Sequence, residues 1–182
     1  MMTEERDVLF TEETIRNRVG ELALQISADY CHVDDLLLVG VLRGSFIFLA
    51  DLSRLLTIPR SIDFIAVAAY GQTTTATGAV RLIMDLRTDV RGRHVLIVED
   101  IVDTGYTLDY ILSLLRPREP ASLKTCALLR KPARLKKRLQ IDYLGFDIPD
   151  VWIVGYGLDF QDRHRALPYI RILPASPASS LP

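Results

Sequence analysis

Residues 95–108, VLIVEDIVDTGYTL, leave this chain few folds to choose from. Val95, Leu96, Ile97 and Val98 are apolar without alternation, the pattern of a strand buried on both faces in a parallel sheet covered by helices. Glu99 and Asp100 follow, then the small-residue turn Asp103-Thr104-Gly105. After it Leu108, Ile111, Leu112 and Leu115 mark one face of a helix that Pro117 ends. The product is strand, loop, helix. In such sheets ligands bind where the loop leaves the carboxyl end of the strand and enters the helix, whose free N–H groups attract anions.

The residue types narrow the ligand. Asp103, Thr104, Gly105, Tyr106 and Thr107 offer successive backbone N–H groups and two hydroxyls around a glycine, a cradle suited to phosphate. Carboxylates repel phosphate, but they accept hydrogen bonds from sugar hydroxyls or hold Mg²⁺, a hard cation that takes oxygen ligands. A loop combining both suits a phosphorylated sugar. Without further motifs, Glu99 and Asp100 could equally end an ordinary strand.

A second unit of the same kind precedes it. Residues 36–42, LLLVGVL, read as another fully buried strand, Arg43-Gly44-Ser45 as a tight turn, and FIFLADLSRLL as a helix. Upstream, Ile15, Val19, Leu22 and Ile26 give residues 11–28 one apolar helical face, with Thr11 as N-cap and Glu12 and Glu13 in the first turn. Strands are expected at 62–69, 79–84 and 123–129, with a turn at Arg91-Gly92 and a loop of small polar residues at 71–78.

At 182 residues and 49% hydrophobic content the chain suits one well-filled domain, placed at 1–173, with PASPASSLP from 174 as a frayed tail. A net charge of −1 gives no overall field for nucleic acid or membrane. The acidic start MMTEERD is unlike a secretory signal, and no stretch is apolar enough to span a membrane, so a cytoplasmic protein is expected. Cys31 and Cys126 have neither metal-site spacing nor disulfide density, and His32, His94 and His164 form no metal or triad pattern. Arg130, Lys131, Arg134, Lys136, Lys137 and Arg138 make the most basic segment, expected as a mostly solvated face. Gly155-Tyr156-Gly157 is not a dinucleotide fingerprint, and there is no GxxxxGK[ST].

The 95–108 run resembles the phosphoribosyl pyrophosphate motif of the type I phosphoribosyltransferases, most closely the hypoxanthine-guanine branch. The stretches VGVLRGSF, FIAVAAYG, LLRKPAR and FDIPDVWIVGYGLDF extend the resemblance over residues 36–172. It implies that family's α/β fold: one mostly parallel sheet with helices on both faces and a small hood built from the late strands. It also implies transfer of 5-phosphoribosyl to hypoxanthine or guanine with Mg²⁺, and a homodimer or homotetramer. The resemblance gives Asp103 as general acid/base and residues 99, 100 and 103–107 as the sugar-phosphate site. Leu42, Arg43, Gly44 and Arg165 then bind pyrophosphate, with a cis peptide between Leu42 and Arg43. Lys131, Trp152, Ile153 and Asp159 bind the purine, Ala69 and Tyr70 lead a mobile loop, and Glu99, Asp100 and Asp159 hold metal. Lys131, a pure donor, favours a 6-oxopurine over adenine. The chain departs from the family at Arg43 (often lysine), Ala69 (usually serine) and Trp152 (usually Phe or Tyr). Two other readings stay open: a xanthine-preferring enzyme, and an RNA-binding regulator on the same fold supported by the basic segment.

Overall fold

The computed structural model describes residues 7–70 and 79–174. The loop expected at 71–78 and most of the expected tail lie outside them. Thr11 caps α1 (Glu12–Asp29), its side chain accepting from the Thr14 N–H at 3.2 Å, and Ile15, Val19, Leu22 and Ile26 are all buried. The apolar runs become β2 (Leu36–Leu42) and β5 (His94–Val102); the helices after their turns are α2 (Phe46–Leu55) and α3 (Tyr106–Leu115). With β3 (Arg60–Tyr70), β4 (Ala79–Met84), β6 (Ser122–Arg130) and β7 (Tyr143–Asp147), they form one sheet in the order β4-β3-β2-β5-β6-β7. Every pairing in it is parallel except β3 with β4.

Alternation along the strands explains why their sequences show none. Leu36, Leu38, Leu96 and Val98 join the core beneath α1 and α2, while Leu37, Val39, Val95 and Ile97 join the core beneath α3. Both faces are buried, so both sets must be apolar.

A second sheet, β1-β9-β8, forms the hood. Here the structure corrects the expectation of late strands alone. β8 (Ile153–Val154) and β9 (Ile170–Ile172) are joined by β1 (Val8–Phe10), which pairs antiparallel with β9. No helix among the described residues is long and apolar enough to cross a membrane. Both cysteines are free thiols, Cys31 exposed and Cys126 buried, and burial pushes the Cys126 thiol up.

Candidate active site

From β2 the chain proceeds outward to β3 and β4, and from β5 in the opposite sense to β6 and β7, so the sheet reverses direction between the adjacent strands β2 and β5. Both strand-turn-helix units open at the carboxyl ends of these two strands, where such a reversal leaves a crevice. A cleft of about 680 Å³ lies there, lined by residues from both units and the hood. It gathers Leu42, Arg43, Gly44, Glu99, Asp100, Asp103, Thr107, Lys131, Trp152, Ile153, Asp159 and Arg165. Thr104 and Gly105, with Asp103 and Thr107, line an adjoining hollow of about 70 Å³ formed by the loop itself. Gly105 has φ of 85° at the head of α3. Tyr106 opens that helix, its ring 5.6 Å from the Lys137 ammonium. The backbone of Ala69 and Tyr70 ends β3, opposite Val80 and Ala79.

At one end of the cleft the backbone does the positioning. The Leu42–Arg43 peptide is cis. A Cβ on Gly44 would lie 1.7 Å from Asp100 Oδ2, and one on Gly157 would lie 1.9 Å from the Gly44 carbonyl oxygen. At Gly157, with φ of 101°, the obstacle is main chain and no Cβ fits; at Gly44 a Cβ would push the Asp100 carboxylate aside. Arg43 Nη2 pairs with Asp162 at 2.9 Å, Asp162 with Arg165 at 3.0 Å, and Arg165 with Asp159 at 2.7 Å; Arg165 also donates to the Gly157 carbonyl at 2.8 Å.

Between the ends sit Glu99 and Asp100. Glu99 is buried and its Oε2 has no hydrogen-bond partner; burial and then the neighbouring Asp100 push its carboxyl well up. Burial pushes Asp100 up to about 6, partly offset by backbone hydrogen bonds and by Arg165. Two crowded acids with an unmatched oxygen need a cation or donors to satisfy them. Among the described residues no group of three or more His, Cys, Asp or Glu is arranged to hold a metal, so these carboxylates do not form an all-protein cage with Asp159. That suits Mg²⁺, which keeps water ligands and binds through one or two carboxylates plus substrate oxygens.

At the other end Lys131 is buried at 6% exposure, with Nζ 6.0 Å from the centre of the Trp152 ring. Trp152 is 69% exposed and meets Phe160 edge to face at 6.4 Å. Ile153 is buried beside it.

The basic segment is a mostly solvated face, as expected, with Arg134, Lys136 and Arg138 exposed and Lys131 buried, but several of its cations are paired. Arg130 pairs with Asp147 at 2.6 Å, Lys137 with Asp109 at 2.8 Å and Arg134 with Asp103 at 2.5 Å, and the Lys136 N–H donates to the Thr104 carbonyl at 3.0 Å. The segment ties down the loop between β5 and α3 through Asp103 and Thr104. Three residues that touch predicted site residues, Arg134, Asp150 and Asp162, were not picked out from the sequence. Arg134 lay inside a charge run, and the two aspartates matched no motif. His164 is exposed, as expected.

Residues 7–161 match the family model described as phosphoribosyl transferase domain. The chain is 49% identical over 168 residues to a hypoxanthine-guanine phosphoribosyltransferase of Dictyostelium discoideum, covering 91% of this chain and 93% of the relative. It superposes with a TM-score of 0.88 and 42% identity on a crystal structure of a Bacillus anthracis hypoxanthine-guanine phosphoribosyltransferase, covering 92% of this chain and 98% of that one. A Trypanosoma cruzi hypoxanthine phosphoribosyltransferase structure, solved to study how the C-terminal region affects oligomeric state and activity, gives 0.87 and 44%, with 92% and 90% covered. With its sheet, cleft and matched motifs in one order, this chain belongs to the phosphoribosyltransferase family, in its hypoxanthine-guanine branch.

Proposed function

We propose that this protein transfers 5-phosphoribosyl from phosphoribosyl pyrophosphate to hypoxanthine or guanine, forming IMP or GMP and releasing pyrophosphate. One observation carries the reading: a single cleft joins a phosphate-sized hollow at a helix N-terminus, two crowded carboxylates, and a buried ammonium beside an aromatic face. The phosphate of the sugar sits on the N–H groups of residues 103–107, where the helix end favours an anion. The diphosphate lies along the Leu42-Arg43-Gly44 turn and Arg165. Glu99 and Asp100 accept hydrogen bonds from the ribose hydroxyls and would hold Mg²⁺, with Asp159 as a separate ligand. Bound there, the cation neutralises charge on the departing diphosphate. Purine N9 bonds to the anomeric carbon as the bond to the diphosphate oxygen breaks, and Asp103 takes the proton from N7. Lys131 donates to O6, Trp152 stacks on the base and Ile153 walls it. The adenine 6-amino group would present a donor to a donor and is rejected.

The test compares hypoxanthine, guanine, xanthine, adenine and uracil as acceptors with phosphoribosyl pyrophosphate and Mg²⁺, following pyrophosphate release. Strong turnover with the first two and none with adenine is the expected result; xanthine as the best acceptor would shift the assignment within the branch. No turnover with any base would remove it. Arg130, Arg134 and Lys137 pair with carboxylates while Lys136 and Arg138 are exposed; salt-dependent RNA retention, lost when Lys136, Lys137 and Arg138 are neutralised, would support the regulator reading instead.

The assembly we infer is a homodimer or homotetramer of this chain. Phe46 and Leu55 stand 42% and 45% exposed on α2, and Ile62 and Met84 46% and 41% exposed on β3 and β4, more apolar surface than a lone subunit gains from showing. Light scattering of the protein and of an Ile62→Lys/Met84→Lys variant tests it, with a monomeric wild type as the opposing result.

A further inference from the structure

The purine end of the cleft is crossed by four side chains of alternating charge. Arg134 Nε donates to Asp103 Oδ1 at 2.5 Å; Arg134 Nη1 lies 3.5 Å from Asp150 Oδ2; Asp150 Oδ1 lies 3.5 Å from Lys131 Nζ. The two outer members contact substrate in the proposed function, on which this inference rests. The two inner members have had no task so far.

Their backbones explain the arrangement. The Lys131 N–H donates to the Val102 carbonyl at 3.0 Å, next to Asp103, and the Arg134 N–H donates to the Lys131 carbonyl at 3.1 Å within a single 3-10 turn, Pro132–Arg134. The ends of β5 and β6 and this turn are thereby tied into one piece. Asp150 arrives from elsewhere, between β7 and β8 and two residues before Trp152, on a segment anchored by the Ile148 N–H to the Arg130 carbonyl at 2.9 Å. It joins the piece carrying Asp103 and Lys131 to the piece carrying the stacking ring.

We propose that Asp150 is a positioning residue for the purine. It aims the Lys131 ammonium at the base and, through Arg134, sets the Asp103 carboxylate. The Lys131 side chain is only 8% exposed, and a buried ammonium needs an anion. Among the described residues Asp150 is its carboxylate partner. At 3.5 Å the contact holds by charge more than by a committed hydrogen bond, which leaves the ammonium donors available to O6. The guanidinium of Arg134 is a rigid planar fork, so holding one prong at Asp150 fixes the direction of the other. Asp103 gives that prong only Oδ1, and its Oδ2 takes no partner among the described residues. The purine therefore meets one preset donor, for O6, and one preset acceptor, for N7, on the same edge of a 6-oxopurine.

The experiment measures steady-state kinetics of wild type, Asp150→Asn, Arg134→Gln and the double variant, with melting temperature to confirm folding. Asp150→Asn is expected to raise KM for hypoxanthine and guanine roughly tenfold and lower kcat about threefold, leaving KM for phosphoribosyl pyrophosphate unchanged. Arg134→Gln is expected to lower kcat about tenfold, and adding Asp150→Asn to it should lower kcat no further while still raising the purine KM. Asp150→Glu should recover part of the purine KM. Equal changes in both KM values, kcat losses that multiply, or unchanged kinetics in Asp150→Asn would overturn the inference while a working wild type preserves the function. A wild type that turns over no base removes both together.

Discussion

Alternating charges lace both ends of the cleft, yet the ends are built from different materials. At the pyrophosphate end, Arg43, Asp162, Arg165 and Asp159 decorate a site already fixed by main chain, where Gly44 touches Asp100 and Gly157 touches Gly44 with no space for a Cβ. At the purine end, Asp103, Arg134, Asp150 and Lys131 are themselves the construction, and Trp152 stands largely in solvent. A pyrophosphate group offers every enzyme of this branch the same oxygens, which backbone N–H groups can meet whatever the side chains are. A base differs at its edges and must be read by side chains. Two of the three departures from the family fall at these ends: under the proposed function Arg43 stands where the main chain meets the diphosphate, and Trp152 is the ring on which the base stacks.

Substitutions can break this contrast, and the largest effect is expected at the purine end. Asp103→Asn keeps the shape and removes the base, so kcat should fall roughly 10²- to 10⁴-fold with the melting temperature nearly unchanged. Matched losses of stability and activity would make Asp103 structural. Gly44→Ala comes next. Its methyl group would displace Asp100, and kcat/KM for phosphoribosyl pyrophosphate should fall about 10²-fold, whereas the purine KM at saturating phosphoribosyl pyrophosphate should hardly move. A fall confined to the purine KM would erase the distinction between the two ends.

The carboxylates at the middle give a smaller, pH-dependent effect. Asp100 titrates near 6 in the folded protein, above its ordinary value, so the folded state holds the proton more tightly than the unfolded chain. Its contribution to stability is complete below the ordinary carboxylate range and is lost as pH rises through about 6. Asp100→Asn should therefore be more stable than wild type at pH 8, by about 1–2 kcal/mol since the residue is only partly buried. That advantage should shrink towards pH 4; a constant advantage across this range would assign it to packing. The smallest effect belongs to the tunable end. Trp152→Phe should change the ratio of kcat/KM for guanine and hypoxanthine by about two- to fivefold and leave KM for phosphoribosyl pyrophosphate unchanged. Trp152 is the single tryptophan of the chain, so quenching of its fluorescence by bound IMP or GMP reports the stacking directly.

The contrast between main chain and side chain also governs what could be read from the sequence. β2 and β5 were legible because strands buried on both faces must be continuously apolar, and the turns after them because glycine and small residues leave a local trace. β1 was not. Three half-buried residues carry no period of their own, and Val8–Phe10 are a strand only because β9 lies beside them. Lys131, Asp159 and Arg165, singled out by motif matches, all line the cleft, but Asp150 and Asp162 gain their meaning from cations on other loops. Arg134 was visible as a charge and not as a contact, since a charge run looks the same whether it faces water or a strand end.

The pairing of β1 with β9 has a consequence in time. The ribosome delivers β1 first and β9 last, so the hood strand that opens the chain has no partner while the whole six-stranded sheet is being made. Domains generally begin to fold as they emerge, and the sheet with the turns after β2 and β5 can assemble in that order. The floor of the cleft can therefore be built before β9 emerges to pair with β1, and the hood is completed on a sheet that already stands.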